Sequence, residues 1–209
     1  VTAAEKNASV AAITAAMANG TGLAEFQSRF PERFFDVGIT EQHAVTFAAG
    51  LAISGLRPVV SLYSTFLQRS VDQVIHDVAL PGLPVVITCD RAGVVGGDGE
   101  THQGIYDLAF FRPVKGLTIL SPGTAEELDS MLLYSLASNG PSLIRYPKAS
   151  CFVLEENSLP LEPGRGVFVR KNSGESLIIT TGGLLSEAVG AADRLAARGI
   201  ISDVYNLRF

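Results

Sequence analysis

Charge, cysteine and long hydrophobic runs are all scarce in this sequence of 209 residues. Charged residues make up 18% of the chain and apolar residues 47%, whereas a disordered chain is rich in charge and poor in apolar side chains. The longest apolar stretch, Ala44 to Leu56, is interrupted by threonine, serine and glycine and is too short to cross a bilayer. Sixteen basic residues against 21 acidic ones give a net charge of −5, so we expect neither a nucleic-acid partner nor a membrane partner.

The two cysteines, Cys89 and Cys151, are too few for a metal site of their own or for a disulfide framework. Cys89 ends the apolar run Val85–Cys89 and is interpreted as a buried, reduced thiol. The chain begins without Met and stops directly after a strand-like run, which suggests a piece of a longer protein in the cytoplasm, or in a plastid if a transit peptide precedes it. The mean hydropathy of +0.29 suggests surface that neighbouring domains cover.

The apolar periodicity alternates between helix and strand, which predicts an α/β fold with a parallel sheet covered on both faces, in three layers. Helices are predicted over Ala3–Met17, Glu41–Ser54 (with Thr40 as its cap), Phe66–Ala79 and Thr124–Ser138. Strands are predicted over Phe34–Val37, Pro58–Leu62, Leu83–Cys89, Leu117–Leu120 and Ser142–Arg145.

The amino-acid composition of the sequence changes after residue 148. Residues 149–165 resemble a linker in composition, with proline, glycine, serine and glutamate. Beyond them, Ser176–Thr181 (strand), Leu184–Ala197 (helix) and Ser202–Asn206 (strand) form one βαβ unit, too small to bury a core. We therefore predict one domain over 1–148, a linker over 149–165, and the truncated beginning of a second α/β domain over 166–209.

Polar segments follow three predicted strands, at residues 38–43, 63–66 and 90–104. Because ligands of parallel sheets bind beyond the carboxyl ends of the strands, these segments are candidates for one site. Each candidate also has a plainer interpretation. Glu41 could do no more than complement the dipole of its helix, and His102 could be solvated. Arg91 could form an ion pair with Asp90 or Asp98.

Three long motifs in order resemble the 1-deoxy-D-xylulose-5-phosphate synthase family. They are Phe34-Phe35-Asp36-Val37-Gly38-Ile39-Thr40-Glu41-Gln42-His43 with the helix that follows, Tyr63-Ser64-Thr65-Phe66-Leu67-Gln68-Arg69, and residues 90–104. The resemblance covers essentially the whole chain. It implies a pyrimidine-binding domain for thiamine diphosphate, followed by the start of a C-terminal domain of the transketolase type.

The resemblance also implies a reaction: a transferase that joins pyruvate to D-glyceraldehyde 3-phosphate with loss of carbon dioxide, for isoprenoid, thiamine and pyridoxal biosynthesis. Roles carry over to the residues that match. Glu41 would accept a hydrogen bond from the aminopyrimidine, Phe66 would stack on it, and Arg69 would lie nearby. The substrate pocket would be lined by Tyr63, Arg91, Asp98, His102 and Arg145; His102 would also act in catalysis, and the two arginines would hold the acceptor phosphate.

The magnesium that accompanies thiamine diphosphate needs a different motif. Gly97-Asp98-Gly99 imitates its beginning, but no asparagine stands at positions 122–130 and the next is Asn139. The resemblance implies that the magnesium site lies in an N-terminal domain and that the full-length protein is a homodimer. We therefore expect no metal ligand in this chain and no activity from these 209 residues alone. Two alternatives stay open: another transketolase-like acyloin enzyme, or a non-catalytic α/β binding module.

Overall fold

The computed structural model describes residues 1–153 and 160–209, and these form two compact units. Unit 1 comprises Val1–Ile119 and Leu132–Lys148, and unit 2 comprises Leu120–Met131 and Ala149–Phe209. Residues 154–159 of the predicted linker lie outside the described residues. Within the described ranges, no helix is long and apolar enough to span a membrane.

The helices and strands alternate along the chain, as the periodicity predicts. In order they are α1 (Thr2–Lys6), β1 (Val10–Thr14), α2 (Ala24–Arg29), β2 (Phe34–Asp36), α3 (Glu41–Ile53), β3 (Arg57–Tyr63), α4 (Ser64–Leu67), α5 (Val71–Gln73), β4 (Val86–Asp90), α6 (Asp107–Phe111), β5 (Thr118–Leu120), α7 (Ala125–Ala137), β6 (Ser142–Arg145), β7 (Val167–Arg170), β8 (Ser176–Thr180), α8 (Leu185–Ala196) and β9 (Ser202–Asn206).

A six-stranded sheet in the order β2-β1-β3-β4-β6-β5 forms the framework of the larger fold. The pairings from β2 through β6 are all parallel, which confirms the predicted fold class. The four inner strands β1, β3, β4 and β6 are buried along nearly their whole length, and Ile13, Leu62, Ile87 and Leu143 are at most 1% exposed. Burial on both faces explains why these strands are continuous apolar runs instead of alternating with polar residues.

The predicted helix over Ala3–Met17 is wrong. The structure has only the short helix α1 there, and then β1, whose five residues are all buried between β2 and β3. Asn7 separates the two elements, because its Oδ1 accepts hydrogen bonds from the backbone N–H and the hydroxyl of Ser9. The two alanines of β1 favour a helix intrinsically, but burial in the sheet outweighs a preference of a few tenths of a kcal/mol per residue.

Other predicted boundaries shift slightly. The strand predicted from Leu83 begins at Val86. The helix predicted over Phe66–Ala79 starts at Ser64 and changes winding along its length, ending as a π-helix over Val74–Ala79. Thr40 does precede α3, but its hydroxyl donates to the carbonyl oxygen of Val37 and does not cap the helix.

Unit 2 contains the predicted strand, helix and strand as β8, α8 and β9, with β8 and β9 parallel. It also contains β7, which the sequence analysis missed and which pairs with β9 in the antiparallel direction. A buried ion pair joins the side chains of Glu127 and Arg208, whose Nε lies 2.7 Å from Oε1 of the glutamate.

Candidate active site

The carboxyl ends of the parallel strands bring the candidate residues of unit 1 to one edge of the sheet. The register pairs Tyr63, the last residue of β3, with Asp90, the last residue of β4. It also pairs Cys89 of β4 with Arg145, the last residue of β6. The polar segments that follow these strands therefore start from adjacent positions, as the sequence analysis predicts.

Glu41 is a buried carboxylate at the first position of α3, and only 2% of the residue is exposed. Its Oε1 accepts a hydrogen bond from Nη1 of Arg69 at 2.7 Å. Its other oxygen, Oε2, has no donor among the residues that the structure describes, yet it is not sealed from solvent. Oε2 is therefore a hydrogen-bond acceptor that is available to a ligand.

Arg69, which pairs with this carboxylate, also lies over one of three rings that contact one another, those of Tyr63, Phe66 and His102. The rings of Tyr63 and Phe66 are nearly parallel, 15° apart with centroids separated by 5.8 Å. The His102 ring meets Phe66 edge-on, at 5.3 Å between centroids. Guanidinium groups flank the pair: that of Arg69 lies 4.9 Å from the centroid of Phe66, and that of Arg91 lies 3.7 Å from the centroid of Tyr63. Aromatic faces and fixed cations of this kind suit a flat, electron-rich heterocycle.

Arg91 has a left-handed backbone, with φ of 59°, which turns the chain sharply after β4. Its Nε donates to Oδ2 of Asp98, and its Nη1 contacts both the carbonyl oxygen of Gly20 and Oδ2 of Asp90, each contact at 3.0 Å. The ion pairs to Asp90 and Asp98 that the sequence analysis gave as the plainer interpretation are thus both present. Nη2 of Arg91 donates no hydrogen bond within the described ranges.

Asp98 accepts hydrogen bonds from two cations. Lys148 contacts Oδ1 and Arg91 contacts Oδ2. These hydrogen bonds hold the pKa of the Asp98 carboxyl below its ordinary value, and the bond from Lys148 has the larger effect. The pKa of the Asp90 carboxyl is raised instead, because burial outweighs the attraction of Arg91. Asp98 is therefore a permanent anion at neutral pH, and it ties the glycine-rich loop to the end of β4.

The loop over residues 90–104 is ordered by Gln103 and Gly104. The side-chain amide of Gln103 donates to the carbonyl oxygens of Val95 and Gly99, and its Oε1 accepts the N–H of Val95. Gly104 packs so closely that a Cβ there would overlap the carbonyl oxygen of Arg91 and the side chain of Ser64. These contacts place His102, whose Nδ1 lies 3.0 Å from the Thr101 hydroxyl.

Arg145 forms its hydrogen bonds with a different carboxylate, that of Asp107. Its Nε donates to Oδ2 of Asp107 at 2.6 Å, and its Nη2 contacts Oδ1 at 3.4 Å. Asp107 begins α6 and is 4% exposed. In the described part of the chain, Nη1 of Arg145 has no acceptor, and it keeps some accessible surface.

Seven of the eight predicted site residues are linked by direct contacts: Glu41, Tyr63, Phe66, Arg69, Arg91, Asp98 and His102. The eighth, Arg145, has no hydrogen bond, ion pair or ring contact to these seven within the described ranges. It is placed near them by the pairing of β6 with β4, which sets Arg145 opposite Cys89.

The sequence analysis missed Gly20, Asp107 and Lys148. A Cβ at Gly20 would collide with the Tyr63 hydroxyl, and the carbonyl oxygen of Gly20 accepts a hydrogen bond from Arg91, so Gly20 lies against this site. For Asp107 and Lys148, the only feature in the sequence that could have indicated a role was their charge. The sequence does not show that Asp107 pairs with Arg145 or that Lys148 pairs with Asp98. Within the described ranges, no group of three or more His, Cys, Asp or Glu side chains could hold a metal ion.

Comparison with known proteins identifies the fold and the relatives. The profile of the family described as "Transketolase, pyrimidine binding domain" matches residues 1–152. A relative from Treponema pallidum subsp. pallidum, named 1-deoxy-D-xylulose-5-phosphate synthase, is 56% identical over 202 residues, which are 96% of this chain and 32% of the relative. One of the same name from Natranaerobius thermophilus is 50% identical, over 99% of this chain and 33% of the relative.

Solved structures show the same fold. The structure described as "Split gene transketolase, inactive beta4 tetramer" has a TM-score of 0.85 and 29% identity, over 98% of this chain and 66% of that chain. A transketolase mutant from Pichia stipitis in complex with fructose 6-phosphate has a TM-score of 0.88 at 20% identity, over 98% of this chain and 32% of that chain. The present chain spans about a third of the length of the curated relatives that it matches.

Proposed function

Because the chain belongs to the transketolase pyrimidine-binding domain family, we propose that it is the central third of a 1-deoxy-D-xylulose-5-phosphate synthase. The enzyme would join pyruvate to D-glyceraldehyde 3-phosphate, release carbon dioxide and yield 1-deoxy-D-xylulose 5-phosphate. That product would enter isoprenoid, thiamine and pyridoxal biosynthesis. The names of the relatives that are 50–56% identical support this reaction over that of another acyloin enzyme.

The observation that carries the proposal is the Glu41 carboxylate, buried, paired with Arg69 through one oxygen and open at the other. That open oxygen fits a heterocyclic N–H, and the half-buried ring of Phe66 offers a surface for stacking. Glu41, Phe66 and Arg69 would therefore hold the aminopyrimidine of thiamine diphosphate. When bound, this cofactor supplies a nucleophilic ring carbon and an electron sink for decarboxylation.

The chain's own residues would bind and orient the substrates around that cofactor. Glu41 would keep a negative charge at a fixed position, which favours the basic tautomer of the pyrimidine. His102 is held by Thr101 and lies against the ring of Phe66, where it would transfer protons to and from substrate oxygens.

The phosphate group of D-glyceraldehyde 3-phosphate would bind to Arg91 and Arg145. Arg91 and Arg145 each keep one terminal nitrogen, Nη2 and Nη1 respectively, that has no acceptor within the described ranges, and guanidinium groups bind phosphate oxygens through charge-assisted hydrogen bonds. Tyr63 and Asp98 hold Arg91 between them and would complete the pocket.

The remaining parts of the proposal concern the rest of the enzyme. Magnesium would bind with the diphosphate in a domain outside this chain, and the full-length enzyme would be a cytoplasmic homodimer.

The test is a product assay on the full-length protein with thiamine diphosphate, magnesium, pyruvate and D-glyceraldehyde 3-phosphate, read by mass spectrometry. Deoxyxylulose 5-phosphate is the expected product. Turnover of ketose phosphate donors with none of pyruvate would contradict the proposal and indicate a transketolase.

A further inference from the structure

The pair formed by Asp107 and Arg145 differs from the surface ion pairs of this chain in its burial. The side chain of Asp107 is 2% exposed and that of Arg145 is 12% exposed. The Nε contact, at 2.6 Å, has the length of a strong charge-assisted hydrogen bond. An aspartate with this little access to solvent cannot reach a substrate, so its effect on the site has to act through the arginine.

Asp107 is itself fixed from a second side. The thiol of Cys89, which is fully buried, lies with Sγ 3.9 Å from the same oxygen, Oδ2, that accepts from Arg145. Burial, with a further contribution from the charge of Asp107, raises the pKa of the Cys89 thiol well above its usual range. The thiol is therefore a neutral, weak donor to the carboxylate, and it adds no competing charge. The position of Asp107 at the first residue of α6 restrains it further.

The consequence for Arg145 is a single remaining direction for binding. With Nε and Nη2 directed at Asp107, the planar guanidinium has one orientation, and only Nη1 lacks an acceptor in the described part of the chain. An arginine without such a partner would sample several rotamers, and a ligand would bear the entropic cost of ordering it.

We propose that Asp107 is a positioning residue that fixes the guanidinium of Arg145 so that Nη1 receives the phosphate of the acceptor substrate. The proposal depends on the proposed function, which supplies the phosphorylated acceptor. Asp107 would set the preference for phosphorylated over unphosphorylated acceptors without touching either of them.

The experiment compares Asp107→Asn with the wild type in the full-length enzyme, using D-glyceraldehyde 3-phosphate and unphosphorylated D-glyceraldehyde as acceptors. The substitution keeps the shape and removes the charge. We expect KM for the phosphorylated acceptor to rise about tenfold, as the loss of one charge-assisted bond implies. KM for pyruvate and for the unphosphorylated acceptor should stay within about twofold. In an Arg145→Gln background, Asp107→Asn should cause no further change.

Glu127→Gln is the matched control, since it removes the charge of another buried carboxylate that is paired with an arginine, Arg208. It should leave the acceptor preference unchanged even if it lowers the melting temperature. Should Asp107→Asn fail to fold, Asp107→Glu, which keeps the charge and moves it by one methylene, should produce the same selective loss. An equal rise in KM for both acceptors, no rise, or additive effects with Arg145→Gln would overturn the proposal.

A calorimetric titration with sn-glycerol 3-phosphate separates this proposal from the proposed function, because it needs no turnover. If the wild type makes no deoxyxylulose phosphate, the proposed function fails. Binding of glycerol 3-phosphate that weakens about tenfold in Asp107→Asn would still support the positioning role. Undetectable or unchanged binding would overturn it.

Discussion

At the scale of the residue, every cation of the candidate site is paired with a carboxylate. Arg69 contacts Glu41, Arg145 contacts Asp107, and Arg91 and Lys148 share Asp98. Pairing fixes each long side chain before a ligand arrives, so binding costs less conformational entropy than it would with mobile lysines and arginines. The groups left for a ligand are then oriented: they include one oxygen of Glu41, one terminal nitrogen on each of Arg91 and Arg145, the ring of Phe66 and Nε2 of His102.

Replacing Phe66 with alanine tests whether its ring binds the cofactor. We expect the Kd for thiamine diphosphate to rise roughly tenfold or more in the full-length enzyme, because stacking on an aromatic side chain contributes about 1–3 kcal/mol. Calorimetric titration measures it. Phe110→Ala is the control, since that phenylalanine is 40% exposed on α6 and should not affect the Kd. Equal Kd values for wild type and Phe66→Ala would show that the ring has no such role.

At the scale of the element, the loop over residues 90–104 is held by its own short-range bonds and by one close approach. Gln103 bonds to Val95 and Gly99, and Gly104 lies against the backbone of Arg91. Because Arg91, Asp98 and His102 all belong to this loop, its packing decides where three of the site residues lie.

Gly104→Ala should disturb this packing, whereas Gly96→Ala in the same loop should not. A Cβ at Gly104 would overlap the carbonyl oxygen of Arg91, while a Cβ at Gly96 would meet no atom within 4 Å. We expect a loss of about 1–3 kcal/mol in the free energy of unfolding for Gly104→Ala, as for other overpacked positions. We also expect a fall in kcat/KM. Thermal unfolding and steady-state kinetics measure both, and equal behaviour of the two variants would contradict the packing described here.

Local sequence patterns predicted most of these elements, and the failures share a cause. The apolar runs of β3 and β4 and the polar segments after them depend on local composition, so these segments were predicted as candidates for one site, and the resemblance to a known family supplied the roles of their residues. The run of β1 contains two alanines and is indistinguishable from a helix until its neighbours in the sheet are known. Asp107 and Gly20 join the site through residues 38 and 43 positions away, and no local pattern encodes such contacts.

At the scale of the whole molecule, the chain spans about a third of its relatives. Within this third, Glu41 and Phe66 suit the pyrimidine of the proposed cofactor. We expect the diphosphate and its magnesium ion to be bound by sequence outside this chain.

The isolated 209-residue chain should accordingly form no deoxyxylulose phosphate under conditions in which the full-length protein does. The physical reason is that the diphosphate and its magnesium ion account for much of the cofactor's affinity and positioning. The product assay by mass spectrometry, at equal protein concentration, measures it. Product from the isolated chain above the level of a no-protein blank would refute this expectation.

The most direct test of the account is the turnover of Glu41→Gln in the full-length enzyme at saturating thiamine diphosphate. Glutamine keeps the volume and the hydrogen-bonding length of glutamate and removes the fixed negative charge. We expect kcat to fall roughly 10²- to 10⁴-fold, the contribution typical of a group that controls proton transfer. The control is Glu127→Gln, which replaces a buried carboxylate of unit 2 and should keep kcat within about twofold of the wild type. A Glu41→Gln enzyme with nearly wild-type kcat would contradict the central claim that this carboxylate activates the cofactor.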